Sequence, residues 1–242
     1  MKLIVAKTYE EMSKQVADDL VTIMQSLPQP LLCTASGDSP AGLYKELTIR
    51  SLENDFTSWK YVGLDEWVGM NGEDEGSCRD HLNKQLFHPL KVKDKSICFF
   101  DGKKENPEAE CTKVERFVEQ KGGIDVTILG LGMNGHVGLN EPGTSTSARS
   151  HLTDLDELTK KTAQKYFNGE QKLSKGITLG MATLLESKYI FLLVSGKHKA
   201  SIVKEVIEGP VTEELPASLL RTHPRFRIYL TADAAELILS MD

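Results

Sequence analysis

The chain has 242 residues, with 29 Lys and Arg against 35 Asp and Glu, a formal net charge of −6, and 40% hydrophobic residues. That size and apolar share suit one large α/β domain with a full core, spanning residues 1–242. The acidic balance argues against general nucleic-acid or anionic-membrane binding, which call for a basic surface, although a local pair of lysines can still hold an anionic small molecule.

Met1–Lys7 is too short an apolar run for a signal peptide, and no stretch is long enough to span a bilayer. Cys33, Cys78, Cys98 and Cys111 form no C-x-x-C pair and no zinc-ligand spacing. Reduced thiols in a soluble, cytoplasmic protein are the expectation.

In chain order, short apolar or β-branched runs predict strands at Leu3–Ala6, Leu31–Thr34, Lys60–Leu64, Ser96–Phe100, Asp125–Leu131, Tyr189–Ser195 and Arg225–Leu230. Several are apolar throughout, as strands covered on both faces should be. Between them, helical spacing of Met12, Val16, Leu20, Ile23 and Met24 predicts a helix over Tyr9–Ser26. Pro40–Asn54 reads as a helix opening on proline, whose missing N–H costs nothing in a first turn. Ser77–Phe87, Asn106–Gln120, Gly176–Glu186 and Lys197–Glu208 complete the helical stretches. The alternation implies βαβ units: a three-layer, doubly wound, mostly parallel, Rossmann-like sheet. The polar segment Thr144–Lys175 interrupts it. It reads either as a surface helix with loops or as a mobile lid over a site.

In open α/β sheets ligands bind beyond the carboxyl ends of strands, so the residues following each strand are the candidates. Ser36-Gly37-Asp38-Ser39-Pro40 reads as a phosphate cradle at a helix N-terminus, or as a plain N-cap by Asp38 or Ser39. It lacks the full P-loop pattern of the nucleoside triphosphate binders. Asp65-Glu66-Trp67 forms the turn after the third strand, where Asp65 or Glu66 could act as a general base, or the acidic residues could cap the next helix or sit in solvent. His136 follows a strand and the glycine-rich turn Gly130–Gly135, which puts it at the sheet edge. Glu141, five residues on, can turn back to hold its imidazole and fix the tautomer. Lys165 and Lys199 are candidate phosphate ligands. Metal ligation is not expected, because the histidines are scattered without a His-x-x-x-His pair. A serine hydrolase is disfavoured, because no G-x-S-x-G elbow occurs.

These residues resemble a known family. Leu64-Asp65-Glu66-Trp67, the run from Gly130 through Gly135-His136 to Asn140-Glu141-Pro142-Gly143, Ser195-Gly196 with Lys199-Ala200, and Leu215-Pro216-Ala217-Ser218 are similar to the glucosamine/galactosamine-6-phosphate deaminase-isomerases, in order along nearly the whole chain. The same superfamily holds the 6-phosphogluconolactonases, which share the first loop and part of the Gly-His run. The resemblance leans to the galactosamine 6-phosphate branch, on Asp65-Glu66-Trp67, Glu75-Gly76-Ser77-Cys78, Gly138-Leu139-Asn140-Glu141 and Gly176-Ile177-Thr178-Leu179-Gly180.

What the resemblance implies is conversion of a hexosamine 6-phosphate to a ketose 6-phosphate with loss of ammonia, and no cofactor. His136, oriented by Glu141, would open the sugar ring; Asp65 would move a proton between C2 and C1; Asn134 would join the histidine relay. Ser36, Gly37, Ser39, Thr144, Lys165 and Lys199 would hold the phosphate. Family members occur as monomers and as larger assemblies, so a homo-oligomer stays open. Three departures stand out. Asn134 replaces a carboxylate found in several members, His151 replaces a phosphate-binding arginine, and Asp38 replaces a glycine, where its charge would repel a phosphate unless it turns outward as a cap. A lactone hydrolase and a non-catalytic sugar-phosphate-binding regulator are the alternatives.

Overall fold

The computed structural model describes residues 1–239; the last three positions of the expected 1–242 domain lie outside the described residues. The strands are β1 Lys2–Ala6, β2 Leu31–Thr34, β3 Lys60–Gly63, β4 Asp65–Trp67, β5 Ile97–Cys98, β6 Val126–Gly130, β7 His151–Asp154, β8 Lys175–Thr178, β9 Tyr189–Val194 and β10 Phe226–Thr231. The helices are α1 Tyr9–Gln25, α2 Asp38–Arg50, α3 Cys78–Leu82, α4 Pro107–Gln120, α5 Glu157–Ala163, α6 Met181–Leu185, α7 Ala200–Glu208, α8 Pro216–Leu219 and α9 Glu236–Leu239.

Seven strands form one sheet in the order β1-β10-β9-β6-β2-β3-β5, and every pairing in it is parallel. Parallel sheets need both faces covered, and alternation along each strand divides the core accordingly. Leu31 and Cys33 on β2, with Ile190, Leu192 and Val194 on β9, face Cys111, Val114 and Val118 of α4 and Ile202, Val203 and Val206 of α7. Leu32, Phe191 and Leu193 face the opposite way, onto Met12, Val16 and Leu20 of α1 and Leu43, Tyr44 and Leu47 of α2. The result is the expected three-layer, mostly parallel α/β fold. No helix among the described residues is long and apolar enough to cross a membrane.

From β2 the chain winds outward to β3 and β5, then returns to β6 on the other side of β2 before reaching β9 and β10. The crevice where winding reverses therefore opens between the carboxyl ends of β2 and β6. This is where ligands bind in doubly wound sheets.

A second, antiparallel sheet has the order β4-β8-β7, with Asp65 opposite Thr178 and His151 opposite the same Thr178. Two expectations change here. Asp65–Trp67 is a strand rather than a turn, and the helix expected over Gly176–Glu186 splits into β8 and α6. Ile177 and Leu179 are fully buried between the two sheets. Local helical propensity cannot compete there with pairing to β4 and β7. Segment 144–175 holds β7, α5 and a short 3₁₀ turn, Gln164–Tyr166. Leu155 and Ala163 anchor it in a third cluster with Trp67, Cys78 and Leu139.

Candidate active site

The loop after β2 comes first. Helix α2 starts at Asp38, two residues before Pro40, and its cap is Gly37 at φ 107° with no side-chain cap. This corrects the reading of Asp38 or Ser39 as the cap. The backbone must turn through the left-handed region to enter the helix, which glycine does without strain. A side chain at Gly37 would also meet the Tyr166 hydroxyl at 3.1 Å. Tyr9 braces the turn: its hydroxyl donates to the Asp38 carbonyl at 2.6 Å and accepts from Gly42 N–H at 2.7 Å. Ser39 Oγ lies 3.9 Å from the Cβ position of Gly130, so this loop touches the start of the histidine loop.

Lys165 and Lys199 approach the same place. Lys165 pairs with Asp38 and lies over the Tyr166 ring. Burial works against its ammonium, but Asp38 and Tyr166 outweigh that and raise its pKa. Lys199 donates to the Leu131 carbonyl at 2.6 Å. Burial, with the charge of Lys165 nearby, pushes it down to about 8. Asp38 thus faces an ammonium rather than standing uncompensated in the loop. Thr144 is placed differently: its hydroxyl donates to the Glu141 carbonyl at 2.7 Å, and no hydrogen bond links it to the β2 loop or to either lysine among the described residues. His151 Nδ1 lies 2.8 Å from the Arg149 carbonyl.

Asp65 and Glu66 are both buried, at 8% and 0% exposed. Glu66 is a structural cap. Its carboxylate accepts the backbone N–H groups of Trp67 and Cys78 at 2.9 Å and of Arg79 at 3.0 Å. Alternation along β4 turns Asp65 the other way, and its neighbours are Cys78 and His136. Burial raises its carboxyl to about 6; the Cys78 thiol and His136 oppose that rise in part. Cys78, expected only as a reduced thiol, lies beside Asp65 and Ser36, and burial pushes its own pKa well up. In the sequence it appeared only within the Glu75-Gly76-Ser77-Cys78 signature, with no site role attached.

The tight Gly132–His136 turn, closed by Gly132 N–H to the His136 carbonyl at 2.9 Å, folds the imidazole back over the loop. His136 Nδ1 lies 2.7 Å from Asn134 Oδ1 and 3.4 Å from Glu141 Oε2. Asn134 Nδ2 donates to Glu141 Oε2 at 2.8 Å, which fixes the amide with its oxygen toward the ring. Burial alone would raise Glu141, but His136, Thr159 and Asn134 outweigh it and hold the carboxyl at about 2. An acceptor-only oxygen against Nδ1 requires the N–H there, so the neutral ring keeps its lone pair on Nε2. Asn134 therefore links His136 to Glu141 through its amide. No group of three or more His, Cys, Asp or Glu residues is arranged to hold a metal among the described residues.

A parallel three-layer sheet with a carboxylate, an oriented imidazole and two ammonium groups at its reversal point is the architecture of a sugar-phosphate enzyme superfamily. The family description "Glucosamine-6-phosphate isomerases/6-phosphogluconolactonase" matches residues 6–228, and the chain belongs to that family. Glucosamine-6-phosphate deaminase of Clostridium perfringens is 38% identical, over 98% of this chain and 100% of its own. Glucosamine-6-phosphate deaminase 1 of Bacillus subtilis is 35% identical, over 98% and 99%. A solved structure described as a monomeric glucosamine-6-phosphate deaminase superposes with a TM-score of 0.94 at 35% identity, covering 98% of this chain and 100% of that one. The 6-phosphogluconolactonase of Thermotoga maritima, at 21% identity and a TM-score of 0.75 over 95% and 99%, shares the fold.

Proposed function

We propose that the protein converts a hexosamine 6-phosphate and water to the ketose 6-phosphate and ammonia. The observation that carries this reading is the juxtaposition of Asp65, lifted to about 6 by burial, with an imidazole held by Asn134 and Glu141. A proton shuttle between adjacent carbons needs a base that is ionised near neutrality yet re-donates readily, and a separate group for the ring oxygen.

His136 Nε2 takes the O1 proton of the cyclic sugar and delivers it to the ring oxygen, opening the ring. Asp65 removes the C2 proton and returns it at C1, while a proton passes from the amine nitrogen to O1, which leaves a hydroxymethyl group at C1 and an imine at C2. Water adds to that carbon, and ammonia leaves. The β2 loop, through Ser36, Gly37 and Ser39, holds the phosphate with Lys165 and Lys199; Thr144 closes the turn beside Glu141. Binding energy at the remote phosphate aligns C1 and C2 with the two proton-transfer groups. The four free cysteines fit a reducing, cytoplasmic setting.

For the sugar we infer galactosamine 6-phosphate, giving tagatose 6-phosphate, on the Asp65-Glu66-Trp67 and Glu75-Gly76-Ser77-Cys78 signatures. The test is ammonia release from the galactosamine and glucosamine epimers, with His136→Ala as control. No ammonia from either overturns the reaction. A higher kcat/KM for glucosamine 6-phosphate, giving fructose 6-phosphate, overturns the epimer alone.

A further inference from the structure

Thr159 is 4% exposed on α5, inside segment 144–175, and no part of the sequence pattern marked it. Its hydroxyl lies 3.2 Å from His136 Nδ1, beside the Glu141 carboxylate whose pKa it helps to lower. Among the described residues His136 is the only side-chain hydrogen-bond partner of that oxygen. A buried hydroxyl needs a partner, and a β-branched residue in a helix has few rotamers through which to find another. Because Nδ1 carries the hydrogen donated to Asn134 Oδ1, Thr159 cannot donate to the ring. Its oxygen can only accept there, and its own hydrogen is left for the Glu141 carboxylate.

The same stretch supplies a second contact. Asp156 N–H donates to Glu141 Oε1 at 3.3 Å, while Asn134 holds Oε2 from the opposite side at 2.8 Å. Glu141 is therefore gripped between its own loop and α5. Leu155 and Ala163 hold α5 in place against Trp67, Cys78 and Leu139.

We propose that Thr159 is a positioning residue for the proposed reaction, carried by segment 144–175, whose hydroxyl fixes the Glu141 carboxylate against His136 so that the imidazole presents Nε2 to the sugar. Thr159 touches no reacting atom; it acts through Glu141. The proton-transfer pair is thus complete only while α5 is docked. This rests on the reaction assigned above.

The test compares Thr159→Val, which keeps the shape and removes the hydroxyl, with Thr159→Ser, which keeps the hydroxyl. Thr159→Val should lower kcat by about 10-fold, the weight of one hydrogen bond to a charged group, and move KM by less than about twofold. Thr159→Ser should restore kcat to within about threefold of the parent. In a Glu141→Gln background the same Val substitution should cost less than about twofold, because residues acting through one group are not additive. Equal losses in both backgrounds, or parent-like kcat in the Val variant, overturn the proposal. A readout without substrate separates it from the functional reading. The downfield proton resonance of His136 Nδ1–H, assigned by its loss in His136→Ala, should shift or exchange away in Thr159→Val and persist in Thr159→Ser. If neither sugar yields ammonia, the reaction falls, and this resonance alone decides Thr159: no change in the Val variant overturns it.

Discussion

Asp65→Asn should make the protein more stable and nearly inactive at once. Burial raises this carboxyl from 3.8 to about 6. At 1.36 kcal/mol per pH unit, the ionised form costs the folded state about 3 kcal/mol. The sign follows from proton binding. Between pH 4 and 6 the folded state holds the Asp65 proton more tightly than the unfolded chain does, so stability is lost as pH rises through that window and the cost is full above it. Asparagine keeps the size while removing the charge. The variant should gain up to about 3 kcal/mol at pH 8, or roughly 6–12 °C in Tm for a domain of this size. At pH 5 the gain should shrink to about half. Loss of the base should lower kcat by about 10²–10⁴. Thermal unfolding at the two pH values, alongside an ammonia assay, measures both arms. A Tm unchanged at pH 8, or a gain equal at both pH values, would refute the argument that burial strains this carboxylate.

The same groups set a pH profile: kcat/KM, which reports the free enzyme, should rise through about 6 as Asp65 ionises and fall above about 8 as Lys199 loses its charge. A profile flat from pH 5 to 9 would contradict both assignments. Glu66→Ala should destabilise by about 1–3 kcal/mol, because three backbone N–H groups lose their buried acceptor and a cavity opens, offset in part by relief of a carboxyl that burial raises to about 7; denaturant unfolding measures it, and a loss below about 1 kcal/mol would count against a capping role. Gly37→Ala should cost about 1–3 kcal/mol, from the left-handed backbone and the approach to Tyr166. It should also raise KM for the sugar phosphate, and a KM equal to the parent's would separate the β2 loop from phosphate binding.

Much of the frame was legible because it rests on short-range pattern. Strands buried on both faces announce themselves as apolar runs such as Tyr189–Val194, and α1 shows its buried stripe at helical spacing. The lost strands were β4, β7 and β8. Each is defined by a partner far along the chain: Asp65 faces Thr178, and Trp67 faces Gly176. Within the site, Asp65, Asn134, His136 and Glu141 stood at strand ends or in a glycine-rich turn, where sequence position alone implies exposure to a crevice. Glu66 looked equivalent to Asp65 in the sequence, and only the alternation of β4 turned one toward the helix N–H groups and the other toward His136. Asp38 read as a threat to phosphate binding until its pairing with Lys165, 127 residues away, was seen.

The sequence by itself determined the alternating strand and helix plan, the family, and the residue types at each strand end, since these depend on local spacing and on the motifs that carry them. Only the tertiary structure decided which of those residues meet. The reversal of winding between β2 and β6 brings the β2 loop beside Gly130. The docking of α5 sets Thr159 against His136 and Glu141. The physical reason is burial: a carboxylate raised to about 6 and one lowered to about 2 are the same chemical group in different surroundings, and surroundings are a property of the packed molecule.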